Sequence, residues 1–291
     1  MRLLRIFSAL VVLISALVAT GCGGSNHGSP PPSSNRVFLV VEENHSYSEV
    51  IGNSGMPYLN SLAAKYGLAT QYYANTHPSI GNYFMLTTGR IETEDDQFSG
   101  LISDDNIIRE LVKAGKTWRS YAESLPNIGY TGGDVFPYEK DHNPFAYFSD
   151  VVGTSQANSV VPFSQFSSDL SSRNLPDFSF IVPNVLNDGH DGSLATADQW
   201  LQTNLGPLLS SSDFQNNGLL VLTFDEGNLT DLSNGGGHVA TIVIGPQVKS
   251  GYQSTTLYQH ESTLRLILAT LGIFAFPGNA ANAPSMGEFF K

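Results

Sequence analysis

Two short apolar runs, each ending in a pair of acids, constrain this chain more than any other feature. Val37-Phe-Leu-Val-Val41 stops at Glu42, Glu43 and Asn44, and Leu219-Leu-Val-Leu-Thr-Phe224 stops at Asp225, Glu226 and Gly227. Continuous runs of this kind suit strands covered on both faces, as in a parallel sheet. Carboxylates at the end of such a strand are costly unless they are paired or hold a cation. In open α/β sheets that end of the strand is where ligands sit. Taken singly, either run is equally a strand followed by a solvated acidic turn; two of them shift the balance.

Helical segments separate the strands. Apolar spacing predicts helices over Met56–Gly67, Asn106–Ala114 and Leu194–Leu209, and one opened by Tyr258-Gln-His260-Glu261 that runs through Leu271. Further strands are expected at Leu68–Ala74, Thr117–Tyr121, Phe178–Val182 and Val239–Ile244. This alternation predicts an α/β fold, a three-layer sandwich around a largely parallel sheet. No internal repeat and no second core are visible, so residues 36–291 read as one domain. The segment Ser124–Val152 is long, irregular and aromatic-rich, as functional loops often are. Its Lys140 and His142 either meet a substrate anion or cap a loop packed by its own aromatics.

The amino terminus reads as an export signal over residues 1–21: Arg2 and Arg5, then an apolar run from Ile6 to Val18, then small residues up to Cys22. Ala19-Thr20-Gly21-Cys22 resembles a bacterial lipobox. That resemblance implies cleavage before Cys22, lipid on Cys22, and anchorage to the exported side of a bacterial membrane; otherwise the chain is secreted or keeps an uncleaved anchor. The apolar run is short for a spanning helix, which needs about 20 residues. After Cys22, residues 23–35 are Gly, Ser, Pro and Asn with one histidine, and 22–35 read as a flexible tether. Cys22 is the only cysteine, so the mature domain has neither a disulfide nor a cysteine metal site. With 14 Lys plus Arg against 26 Asp plus Glu the formal charge is −12, and loss of Arg2 and Arg5 with the signal would make it −14. Such a balance disfavours nucleic acid as a partner. An acidic enzyme working on anionic substrates needs a metal to correct the local field.

The stretch Asn75-Thr-His77-Pro-Ser79-Ile-Gly-Asn82-Tyr83 leads into the apolar Phe84-Met-Leu86. Strand, polar turn and helix in that order bring the Ser79 hydroxyl near a helix N-terminus, where free amides favour an anion. Ser79 is then either a nucleophile beside a phosphate or a helix N-cap. The strand ends together carry Glu43, Asn44, Ser79, His190, Asp191, Asp225, Glu226 and His238. Their oxygens fit a hard divalent cation such as Mg²⁺ or Ca²⁺, and the imidazoles widen the choice to Zn²⁺, Mn²⁺ or Fe. Gly115-Lys116-Thr117 is not a phosphate-binding loop, because Glu110 stands where the motif needs its first glycine. No Gly-x-Ser-x-Gly elbow occurs.

Glu43-Asn-His-Ser-Tyr47 resembles the Glu-Asn-x-Ser-Phe segment of the bacterial phosphoesterase family, which includes acid phosphatases and phospholipases C. His77-Pro-Ser79-x-x-Asn82-Tyr83 resembles a segment of its acid phosphatase branch. Lys140-x-His142-Asn143-Pro144-Phe145, Asn184 through Asp191, Phe224-Asp-Glu226 and Tyr258-x-His260-x-Ser262-x-Leu264-Arg265 match in the family's order. The resemblance covers nearly all of the chain after the tether. It implies an alkaline-phosphatase-like fold and metal-dependent hydrolysis of phosphate esters. Carried over by position, Glu43, Asn44, Ser79, Asp225 and Glu226 are expected to hold one divalent metal ion. Ser79 is the expected nucleophile, passing through a phosphoserine. Asn82, Asp191, His190 and His238 are expected around the phosphoryl group, with one of the two histidines as proton donor; His77, Lys140 and His142 are expected to contact substrate. An acid-phosphatase-type monoesterase is the first expectation. The alternatives are a phospholipase C-type diesterase and a surface-tethered binding protein that kept the fold without turnover. A sulfatase would need x-Pro-x-Arg after its nucleophile, whereas Ser79 is followed by Ile80-Gly81-Asn82.

Overall fold

The computed structural model describes residues 29–291. The expected signal at 1–21 and lipidation at Cys22 lie outside the described residues, as does the tether up to residue 28. The rest of the tether is seated on the body rather than free. Ser34 donates its N–H to the Thr270 carbonyl (2.8 Å) and Asn35 to that of Asn217 (3.1 Å). Among the described residues no helix is long and apolar enough to cross a membrane.

The elements follow the expected alternation. β1 (Arg36–Glu42) is followed by α1 (Tyr47–Val50), α2 (Pro57–Lys65), β2 (Gly67–Ala69) and β3 (Tyr72–Tyr73). The single strand expected at 68–74 is therefore two. Thr70 ties its N–H and hydroxyl to the Ser254 carbonyl, and beyond it the chain leaves the main sheet. Next come α3 (Ser79–Thr88), α4 (Ile107–Lys113), β4 (Trp118–Ala122), β5 (Val160–Pro162), α5 (Ser164–Ser172) and β6 (Phe178–Val182). The chain closes with α6 (Leu194–Ser210), α7 (Ser212–Gln215), β7 (Gly218–Phe224), β8 (Thr241–Ile244), β9 (Tyr252–Ser254), β10 (Tyr258–Gln259) and α8 (His260–Thr270).

The main sheet has the order β5-β4-β6-β1-β7-β8-β2-β9, and β3 pairs with β10 apart from it. All neighbours in it are parallel except where β8 meets β7 and β2. β1 is central, and Val37 to Val41 are fully buried, as a run without polar alternation requires. On one face Phe38 packs on Phe214 of α7, and Asp198 of α6 accepts the N–H groups of Tyr58 and Leu59 at the start of α2. On the other, Tyr83 of α3 packs on Phe180 of β6, with α8 beside α3. These are the three predicted layers. β4, β6, β1 and β7 run the same way, so the segments that follow them, bearing His142, Asp188, Glu43 and Asp225, leave from one edge.

Candidate active site

β1 and β7 pair with Glu42 opposite Phe224, so the next residues, Glu43 and Asp225, emerge together. Asn44 adopts φ 53°, a left-handed conformation that Asn tolerates, and its N–H donates to Asp225 Oδ1 (3.1 Å). Ser79 is the first residue of α3 and Pro78 is its N-cap, so the hydroxyl is not used for capping. Ser79 Oγ lies 3.2 Å from Glu43 Oε2 and 3.3 Å from Asn44 Oδ1. Asn44 Oδ1 in turn stands 3.0 Å from Glu43 Oε2 and 3.2 Å from Asp225 Oδ1.

Four oxygens thus converge with one hydroxyl proton among them. Either the amide turns over and donates its NH₂ to the others, or a cation lies at their focus. Asp225 Oδ2, buried and without a hydrogen-bond partner, favours the cation. Two carboxylates, an amide oxygen and an alcohol are the donor set a hard dication takes. Burial, reinforced by Asp225 and Asp188, holds the Glu43 carboxyl well above the usual range. Burial also raises Asp225, against the opposing effects of His142 and Ser79. A dication would relieve both.

Glu226 stands apart from this group. Its Oε2 is 3.1 Å from His77 Nδ1, near enough for an ion pair but not in hydrogen-bond geometry, and 3.4 Å from Asn82 Nδ2. Burial, with Asp225 and Asp96, pushes its carboxyl up to about 10. Asn82 accepts from the N–H groups of Asn75 (2.9 Å) and Thr76 (3.2 Å) and donates to the Thr76 carbonyl (2.8 Å). Its amide secures the loop that carries His77, whose Nε2 faces the Asp231 carbonyl at 3.0 Å.

On the other side, His142 is buried with Nδ1 3.5 Å from Glu43 Oε1 and 3.7 Å from Asp188 Oδ2. Burial favours its neutral form, but Asp188, Asp141 and Asp225 outweigh that and push its pKa up to about 9. His190 is exposed, 5.9 Å from the His142 ring between centroids, with Nδ1 2.9 Å from Asp191 Oδ1. Two expected residues are engaged elsewhere. Lys140 Nζ sits 4.0 Å over the Tyr147 ring. His238 is clamped between Tyr47 (4.4 Å) and Tyr73 (4.8 Å), its Nε2 3.1 Å from the Thr70 carbonyl, with no bond to the Ser79 group.

Sequence reasoning missed several supports. Tyr83, one turn along α3 from Ser79, donates its hydroxyl to Glu43 Oε1. Asp188 Oδ1 accepts the His190 N–H at 2.8 Å. His260 opens α8, fully buried, with Nε2 2.5 Å from the Asp225 carbonyl; burial holds its pKa down at about 4. Tyr83 and His260 fall inside the quoted motif segments, but a buried Tyr or His in a helix looks like core.

The sequence pattern of the Phosphoesterase family matches residues 53–274. The chain belongs to the phosphoesterase family. It is 34% identical over 300 residues to a phosphatidylinositol-3-phosphatase of Mycobacterium tuberculosis, covering 99% of this chain and 95% of that protein. It is 33% identical to a probable acid phosphatase of Kluyveromyces lactis, over 80% of this chain and 57% of that one. An acid phosphatase of Aspergillus fumigatus is 31% identical, over 82% and 55%. A crystal structure from the alkaline phosphatase superfamily, from Vibrio parahaemolyticus, superposes with a TM-score of 0.62 at 14% identity, covering 86% of this chain and 70% of that one. This phosphoesterase therefore has the alkaline-phosphatase-like fold and is a phosphoric ester hydrolase. Both the fold and the donor set fit a metal cofactor.

Proposed function

We propose that the protein is a metal-dependent phosphomonoesterase of the acid phosphatase type, with Ser79 as nucleophile. The observation that carries this reading is the Ser79 hydroxyl, uncapped and 3.2 Å from Glu43 Oε2, at the start of α3. Glu43, Asn44, Ser79 and Asp225 would hold the cation, with Glu226 behind them. A dication there would lower the pKa of the serine hydroxyl and offset charge on the phosphoryl oxygens. Ser79 Oγ, its proton released to solvent, attacks phosphorus in line; an O–P bond forms and the bond to the leaving alcohol breaks. His190 faces solvent with Asp191 on Nδ1, leaving Nε2 to protonate that alcohol. Water then attacks the phosphoserine: its oxygen bonds phosphorus, the Ser79 Oγ–P bond breaks, inorganic phosphate leaves, and a proton from that water restores the Ser79 hydroxyl. A monoester is favoured over a diester by the names of the relatives, an acid phosphatase and a phosphatidylinositol-3-phosphatase among them.

A lipid-borne monoester is the second reading. Phe136, Leu186, Leu229 and Leu232 are large, apolar and exposed, on loops that follow β4, β6 and β7 and so flank the site. We further propose, from residues 1–22, that the enzyme works on the exported side of a bacterial membrane. A panel of aryl phosphate, aryl phosphodiester and phosphoinositide vesicles, run before and after chelation, tests these readings. Turnover should favour monoesters and vanish with chelator, and Ser79→Ala should lower kcat at least about 10³-fold with the fold intact. Undiminished turnover in Ser79→Ala would remove the nucleophile assignment, and a diester preference would replace the substrate class.

A further inference from the structure

Asp96 stands at the start of α3 and belongs to none of the groups described above. Its Oδ1 accepts the Ile80 N–H at 3.3 Å, one residue on from Ser79. Its Oδ2 has no hydrogen-bond partner among the described residues. The side chain is half-buried, and the segment 91–100 fixes it from both sides. Before Asp96 the segment lies directly on α3: a Cβ on Gly81 would stand 3.1 Å from the Thr93 carbonyl oxygen and 3.3 Å from Ile91 Cγ2. Thr76 also donates its hydroxyl to Glu94. After Asp96, Phe98 stacks on Tyr147 at 5.9 Å and 27°, and its N–H donates to the Asp95 carbonyl at 2.8 Å.

This placement sets a carboxylate where a substrate anion has to come. A phosphoryl group at Ser79 brings an oxygen to the free amides at the start of α3, and Asp96 already takes one of them. Carboxylate oxygens only accept hydrogen bonds, and the oxygens of a fully ionised phosphoryl group only accept too. Set side by side they repel, which is a means of rejecting a ligand. The surroundings sharpen the conflict. Burial, with Asp141 and Asp225, raises the pKa of Asp96, and His142 opposes them. Glu226 faces it as a further acid. One proton on the ligand resolves the conflict. A P–OH group donates to Asp96 and leaves the remaining phosphoryl oxygens for the amides and the cation. A phosphomonoester carries that proton below its second pKa of about 6. A diester and a sulfate ion carry none.

We infer that Asp96 is a specificity-determining residue that accepts the hydrogen of a P–OH group, admitting the monoanion of a monoester or of inorganic phosphate and rejecting anions without that hydrogen. The inference rests on the proposed function for the position of the phosphoryl group, and it names the ionic form which that position takes.

The test is equilibrium binding rather than turnover. Full-length protein with Mn²⁺ is titrated by calorimetry with inorganic phosphate and with sulfate at about pH 6, where phosphate keeps a proton and sulfate has none. Wild type should bind phosphate at least about 10²-fold more tightly than sulfate. In Asp96→Asn the amide can donate to sulfate, so the ratio should fall to about tenfold or less, with circular dichroism confirming the fold. Equal binding of the two anions by wild type, or a wild-type ratio in Asp96→Asn, overturns the inference and leaves the proposed function standing. Binding of neither anion by wild type overturns both. If Asp96→Asn does not fold, wild-type crystals soaked in phosphate decide the matter. A phosphate oxygen within hydrogen-bond reach of the Asp96 carboxylate supports the inference; phosphate on the Ile80 N–H with Asp96 turned away refutes it.

Discussion

Tyr83 fixes where the proton lies between itself and Glu43. Burial and the neighbouring carboxylates hold its phenol far above the usual range, so it donates and Glu43 Oε1 accepts. Tyr83→Phe should leave the fold intact at a cost of about 1–3 kcal/mol and weaken metal affinity or kcat/KM by about 10–100-fold. Calorimetric titration and steady-state kinetics check this; wild-type values in both would show that Tyr83 only fills space. Glu43, Ser79 and Asp225 were legible because strand ends and helix starts mark a sequence with acids after apolar runs and hydroxyls before them. Tyr83 was not: all ten residues of α3 are buried, and one aromatic among them carries no sign of its target. His238 shows the converse. A histidine beginning a strand suggested chemistry, and two flanking tyrosines that sequence does not bring together hold it elsewhere.

The alternation of strands and helices was legible in order and nearly in extent, because buried parallel strands and amphipathic helices have different periods. The break between β2 and β3 was not, since it depends on a carbonyl from Ser254, far along the chain. The glycine-rich loop from Gly227 to Gly237 has a purpose that its composition does not announce. A Cβ on Gly235 would stand 2.0 Å from the Asn75 carbonyl oxygen, and φ there is +109°. Gly236 presses on Thr76 in the same way, at 2.3 Å. The loop is thus the backing of the segment that carries His77 and Ser79. Gly235→Ala should destabilise by about 2 kcal/mol or more and lower turnover through displacement of that segment. Thermal melting and kinetics on the same preparation test it, and unchanged melting would mean that the loop gives way freely.

Across the domain, the buried acids make stability depend on pH. His142 keeps its proton up to about 9 when folded, against 6.5 for the free side chain, and Glu226 up to about 10, against 4.5. Within those windows the folded chain binds more protons than the unfolded one, so stability falls as pH rises. His260 acts oppositely, with a folded pKa of about 4 against 6.5, but its contribution is complete above pH 6.5. Chelated protein should therefore lose melting temperature steadily as pH rises from 6.5 to 9, and added Mn²⁺ or Zn²⁺ should flatten the slope. A pH-independent melting temperature in chelator over that window would contradict the burial of these acids. The pairing of β1 with β7 carries one more consequence. Asn44 and Asp225 meet across 181 positions, and closing a loop of that length costs about 5 kcal/mol of chain entropy. A nascent chain halted before Phe224 already contains Ser79 but has no wall to set it against. The wall is complete only once β7 has been added, so a chain truncated before Phe224 should show no turnover rather than partial turnover.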